Sequence, residues 1–246
     1  MTCCLSILVN RKSRIATDFR AWACLRFFVL AGVLSLFVGR AHADEALPSE
    51  NVTSLVLGDF AVSGLEGWKV KSFEGKTRYS LMNIDGIQVL RARAKRSASG
   101  LFHEQKIDLT RTPVLHWRWR VDKGPRDLDE TTKAGDDYAA RIYLVKSGGI
   151  LIWRTKALNY VWSSGTEPLK RWPNAFAGEA VQMLAVRTQL DRKGVWYEES
   201  RNVREDFKRF FGEDVTEIDA VALMTDADNS GQRSLAYYGQ VYFTAE

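Results

Sequence analysis

Beyond residue 43 this 246-residue chain has no cysteine, since Cys3, Cys4 and Cys24 all precede that point. A body without cysteine has no disulfide, no thiol nucleophile and no cysteine-ligated zinc, so its stability must come from a hydrophobic core. Histidine is nearly absent too: only His103 and His116 follow residue 43, which is too few for a three-histidine metal site and argues against a Ser-His-Asp triad. The G-x-S-x-G, H-E-x-x-H and P-loop patterns are missing. An excess of one charge is missing as well. The formal net charge is +5, but six basic residues (Arg11, Lys12, Arg14, Arg20, Arg26, Arg40) face one acid, Asp18, in the first 43 positions, leaving 29 of each sign beyond them. By count the body is neutral, and the charge excess that nucleic-acid binding calls for is not there.

What is present begins with one apolar run, Phe27 to Gly39, preceded by basic residues and followed by Arg40-Ala41-His42-Ala43. Basic, apolar and small-residue segments in that order predict a secretory signal cleaved after Ala43. The run is about 13 residues, short of the roughly 20 needed to span a bilayer. The expected organisation is therefore a signal peptide at 1–43 and a single domain at 44–246, exported to the periplasm or medium without lasting membrane insertion.

From about Thr53 the pattern is short strands and turn chemistry. In Pro113 to Val121 (PVLHWRWRV), Leu115, Trp117, Trp119 and Val121 alternate with His116, Arg118 and Arg120, which predicts a strand with one face in the core. Further strands are expected at 78–82, 87–94, 101–107, 138–146, 150–155, 180–187, 195–199, 218–225 and 235–244, separated by turns such as Asp85-Gly86 and Asp228-Asn229-Ser230-Gly231. Val203, Phe207, Phe210 and Phe211 follow helical spacing, with Asn202 and Glu205 at the start and Gly212 at the end, so one helix is expected at about 203–211. Ten or so strands without βαβ alternation predict a mainly β fold, an antiparallel β-sandwich or jelly roll with one short helix. The charged stretch Asp122 to Asp137 is expected to be a solvated connector.

The strings LHWRWRV (115–121), GDDYAARIYLV (135–145), LNYVW (158–162), ESRNVREDFKRFFGE (199–213), ALMTDADNSG (222–231) and AYYGQVYF (236–243) resemble the DUF3047 family of exported bacterial proteins. The resemblance runs over most of the body. It implies no particular activity, so candidate residues must be chosen on chemistry.

Alternation places Asp137, Ala139, Arg141 and Tyr143 on one strand face, where a mid-strand Arg needs a partner: a cross-strand ion pair, or a polar binding face shared with Arg118, Arg120 and His116. Asn159 and Trp162, with Trp153, Trp172, Trp196 and Tyr197, offer aromatic and amide surface of the kind that stacks on sugar rings. Asp226, Asp228 and Asn229 have a spacing that suits Ca²⁺, but the same residue types make turns, and no EF-hand pattern surrounds them. No metal or cofactor is assigned. The expected function is non-catalytic binding of a carbohydrate or other polar cell-envelope ligand through Arg118, Asp136, Asp137, Arg141, Asn159 and Trp162. A carboxylate-dependent glycosidase or lyase on an envelope polysaccharide and a protein–protein interaction module are the alternatives.

Overall fold

The computed structural model describes residues 54–246, so the expected signal segment lies outside the described residues. In chain order the strands are β1 Ser54–Gly58, β2 Trp68–Glu74, β3 Arg78–Ile84, β4 Ile87–Lys95, β5 Ala98–His103, β6 Ile107–Asp108, β7 Val114–Lys123, β8 Arg141–Lys146, β9 Lys156–Trp162, β10 Arg171–Asn174, β11 Gly178–Arg187 and β12 Tyr197–Asn202. The helix α1, Val203–Phe211, follows, and then β13 Glu217–Ile218, β14 Ala220–Asp226 and β15 Arg233–Thr244. One sheet has the order β12-β7-β15-β4-β3, with β1 also on β15; the other runs β10-β11-β9-β8-β14-β5-β2. β6 and β13 form a small separate pair. Every pairing is antiparallel except β9 with β11, which is parallel.

The two sheets are joined by the residues that alternation assigns inward. Leu115, Trp117, Trp119 and Val121 of β7 are all buried, and Trp117 stacks on Tyr160 of β9 with centroids 5.4 Å apart and planes 1° apart. Trp119 meets Trp162 edge-on at 5.9 Å, and its Nε1 donates to Glu199 at 3.0 Å. Large aromatic side chains fill a sandwich core efficiently, and losing one typically costs about 3–5 kcal/mol. This is the expected mainly β sandwich.

α1 forms where its signals lie. The Asn202 side chain accepts from the Glu205 backbone N–H at 3.1 Å. Gly212, at φ 70°, adopts the left-handed conformation that a residue without Cβ reaches freely, and its N–H donates to the Lys208 carbonyl at 2.9 Å. Val203, Phe207 and Phe210 pack inward. So does Asp206, which accepts from Tyr160 Oη at 2.7 Å and from two nitrogens of Arg201, tying the helix to the core.

Two expectations fail. The segment 150–155 forms no strand; it contains a short 3-10 turn, Ile152–Arg154, and both Ile150 before the turn and Trp153 within it are exposed. The 122–137 connector is not simply solvated, because Glu130, Asp136 and Asp137 are buried. Glu130 accepts from the Ser163 hydroxyl and the Ser164 N–H, which fixes this long loop to the segment after β9.

Candidate functional site

The seven-stranded sheet is buried on both faces at its centre; every residue of β14 is buried, as are all but the first of β8's neighbour β9. On the outer face, β8 contributes Arg141, Tyr143 and Val145, while Ile142 and Leu144 enter the inter-sheet core. Register then sets the neighbours: Arg141 lies opposite Met224, and Tyr143 lies opposite Ala222 on one side and Asn159 on the other. Many outer-face positions are small, among them Ala98, Ala157, Ala220 and Ala222. Gly100 leaves space for the Phe102 ring, since a Cβ there would sit 2.4 Å from it.

Small residues under larger flanking ones make a groove. It holds about 620 Å³ of non-atom space, part of it open to solvent. Phe73 on β2 and Phe176 in the β10–β11 turn stand at opposite edges of the sheet, with Phe102, Tyr143, Val145, Val181 and Met224 between them. Both edge rings are half-buried. Asn174 aims the second edge: its Oδ1 accepts from the N–H groups of Phe176 and Ala177, and its Nδ2 donates to Asp136 at 2.9 Å.

One part of the groove is polar. Arg141, only 2% exposed, forms an ion pair with Asp226 and lies 3.9 Å from Asp136, with its guanidinium 4.9 Å from the Tyr138 ring and 5.1 Å from the Tyr143 ring. Asp226 also accepts from the Tyr138 N–H at 2.8 Å. Asp137 accepts from the N–H groups of Asn229 (3.2 Å) and Ser230 (2.6 Å), so it holds the turn that carries Asp228. Two carboxyl groups thus face one guanidinium, with Asp137 and Asp228 close beside Asp226. Burial pushes Asp136 up to about 6, with Arg141 pulling the other way, and burial and Asp137 together push Asp228 up to about 6. Burial opposes the charge on Arg141, but Asp226, Asp136 and the Tyr143 and Tyr138 side chains together outweigh it and keep the guanidinium charged. Oxygens of Asp137, Asp226 and Asp228 lie within 4.8 Å of one another, a donor set that a hard cation could use. In Asp137 and Asp226, however, these oxygens already accept from backbone N–H groups and Arg141.

Of the residues chosen from sequence, Asp136, Asp137, Arg141 and Asn159 meet on this outer face. Asn159 is fully buried beside Tyr143, and both its amide atoms lack a hydrogen-bond partner among the described residues. Arg118 and Trp162 do not join them. Arg118 sits on the outer face of the six-stranded sheet, paired with Glu198 at 3.2 Å and over Trp196 at 5.1 Å, because β7 belongs to that sheet. Trp162 points between the sheets, 2% exposed, in contact with Trp119 and Tyr197. Alternation that groups Asp137 with Arg141 puts Tyr138 on the opposite, core side of the expected 138–146 strand; β8 begins only at Arg141, and the irregular residues before it turn Tyr138 to the outer face. The groove aromatics Phe73, Phe102 and Phe176 carried no sequence signal beyond ordinary apolar character, whereas Tyr143 did, through its spacing from Arg141.

The sequence matches the family described as "Protein of unknown function (DUF3047)" over residues 66–242. The chain belongs to the DUF3047 family. No curated protein matches it. Among solved structures it is similar to a family 11 carbohydrate-binding module from Clostridium thermocellum in complex with a mixed-linked tetrasaccharide, with 11% identity, 78% of this chain and 95% of that one covered, and a TM-score of 0.43. It is also similar to a family 30 carbohydrate-binding module of a C. thermocellum cellulosomal cellulase (10% identity, 78% and 98% covered, TM-score 0.46). The glycoside hydrolase domain structure of Endo-D from Streptococcus pneumoniae is a third (12% identity, TM-score 0.40), of which this DUF3047 chain spans 22%. Among the described residues no helix is long and apolar enough to cross a membrane.

Proposed function

We propose that this DUF3047 protein is exported and acts as a non-catalytic binding protein whose ligand, a carbohydrate, occupies the groove on the seven-stranded sheet. The observation that carries this reading is the lining. Half-buried Phe73 and Phe176 stand at the two edges, with Tyr143 and Phe102 between, and the polar part is held by Arg141, Asp136, Asp228 and Asn229. Rings that stack on sugar CH groups beside groups that pair with hydroxyls are the two needs of a carbohydrate site. A glycosidase requires two carboxyl groups facing its substrate. Asp136, Asp137 and Asp226 are at most 5% exposed and engaged with Arg141, Asn174 or backbone N–H groups, leaving Asp228 as the half-buried one, which favours binding over cleavage.

A glycan array followed by calorimetry with the best neutral oligosaccharide tests the groove. Phe176→Ala and Phe73→Ala remove half-buried rings and should each weaken binding about tenfold or more, at the scale of one aromatic contact. Wild-type affinity in both variants would refute the groove. Export is checked by N-terminal sequencing of protein from the native host, which should begin at Asp44; an intact N-terminus in the membrane fraction would refute it.

A further inference from the structure

The neutral charge count of the body conceals a separation of sign. On the outer face of the six-stranded sheet, a depression of about 1110 Å³, open to solvent, is lined by Lys76, Arg78, Arg93, Lys95, Lys123 and Arg233. All six are exposed, and no carboxylate lines the depression. Among the described residues none of the six takes part in an ion pair, although most other cations on this face do: Arg118 pairs with Glu198 and Arg120 with Asp122.

Register makes the crowding specific. Arg78 on β3 lies directly opposite Arg93 on β4, and Lys95 lies directly opposite Arg233 on β15. Across Leu235, the next position in the row of Arg93 is Lys123 on β7. Adjacent strands are about 4.8 Å apart, and like charges directly opposite each other are destabilising. A sheet that accepts two such pairs and leaves them without counter-charge presents a periodic array of cations to solvent.

We propose that this depression binds an acidic polysaccharide, a chain of carboxylate- or sulfate-bearing sugars laid across β3, β4, β15 and β7. Its concave form suits a narrow chain rather than a planar bilayer. The exposed apolar side chains of the β3–β4 hairpin, Leu81, Met82 and Ile87, lie toward the opposite end from the cations, where they could not insert beside them. No aromatic ring lines the depression, so it lacks the stacking platform on which single-stranded nucleic acids are held.

The test uses alginate oligomers as the polyanion, with an oligonucleotide of equal charge and vesicles one-third phosphatidylglycerol as competing probes. Alginate should bind, and the affinity should fall steeply as salt rises from about 0.05 to about 0.3 M, because exposed charges are screened. The double variant Arg93→Glu/Arg233→Glu should weaken it about tenfold or more. Both substitutions relieve like-charge opposition, so the fold is kept; Lys76→Gln/Lys123→Gln, outside the facing pairs, provides a second variant and should weaken binding less. Alginate binding unchanged in both variants would overturn the proposal, as would oligonucleotide or vesicle binding tighter than alginate binding.

Discussion

The two outer faces of the sandwich handle charge in opposite ways. In the groove of the seven-stranded sheet the charged groups are interlocked and mostly buried, with Asp226 and Asp136 on Arg141 and Asp137 and Asp228 beside Asp226. In the depression on the six-stranded sheet the cations are exposed and no carboxylate lines the space between them. The difference follows from what covers each face. The 122–137 loop, fixed by Glu130 to Ser163 and Ser164, and the β10–β11 turn, fixed through Asn174, flank the first face and desolvate its charges. The depression on the second face is open to solvent, where like charges can stand close together because water screens them.

The comparison is broken most severely at Arg141. Arg141→Met removes the cation from a buried cluster and leaves Asp226 without its charged partner, which should cost about 3–5 kcal/mol. In a domain of this size that lowers the melting temperature by very roughly 6–20 °C. Arg141→Met/Asp226→Leu should recover much of the loss, because replacing a buried pair together is often neutral. Calorimetric melting of the two variants checks this; an equal or deeper loss in the double variant would mean that the pair is not what the cluster depends on.

Next in size is a pH effect confined to the first face. Asp136 and Asp228 are held at about 6 in the folded protein, above the ordinary carboxyl value of 3.8. Between pH 4 and 6 the native state therefore holds more protons than the unfolded chain, so these groups favour folding most below about pH 4, and their contribution is lost as pH rises from there through 6. Asp228→Asn should remove part of that decline, raising the melting temperature relative to wild type by a few degrees at pH 8 and hardly at all at pH 4. A difference that is the same at both values, or larger at pH 4, would contradict the assignment.

The smallest effect belongs to the second face. Relieving a like-charge cross-strand pair is worth about 0.2–1 kcal/mol. Arg93→Gln should then raise the melting temperature by about 1–3 °C at low salt, with the gain vanishing near 1 M salt. A stability loss at low salt would mean that Arg93 has a structural partner.

Much of this was legible in the residues. Strict alternation marks β7 and capped spacing marks α1 because each has one wet face and one dry face. β9 has no such contrast: LNYVW is buried on both sides, so alternation could not show that Tyr160 and Trp162 enter the core while Asn159 faces outward. The same double burial hid the groove. Its polar residues lie beneath loops, and whether a loop covers a sheet is set by tertiary contacts such as those of Glu130. Arg118 was grouped with Arg141 because both are strand cations opposite apolar positions; which sheet a strand joins is a long-range fact. The basic depression was invisible for a related reason. Arg78, Arg93, Lys123 and Arg233 are far apart in sequence, and only cross-strand register brings them together.

The central claim is that the two faces bind different ligands independently. It is tested most directly by titrating wild type, Phe176→Ala and Arg93→Glu/Arg233→Glu each with the best neutral oligosaccharide and with alginate. The account predicts a crossed result: Phe176→Ala loses the neutral sugar and keeps alginate, while the charge-reversed variant loses alginate and keeps the neutral sugar. Loss of both ligands in either folded variant would contradict it.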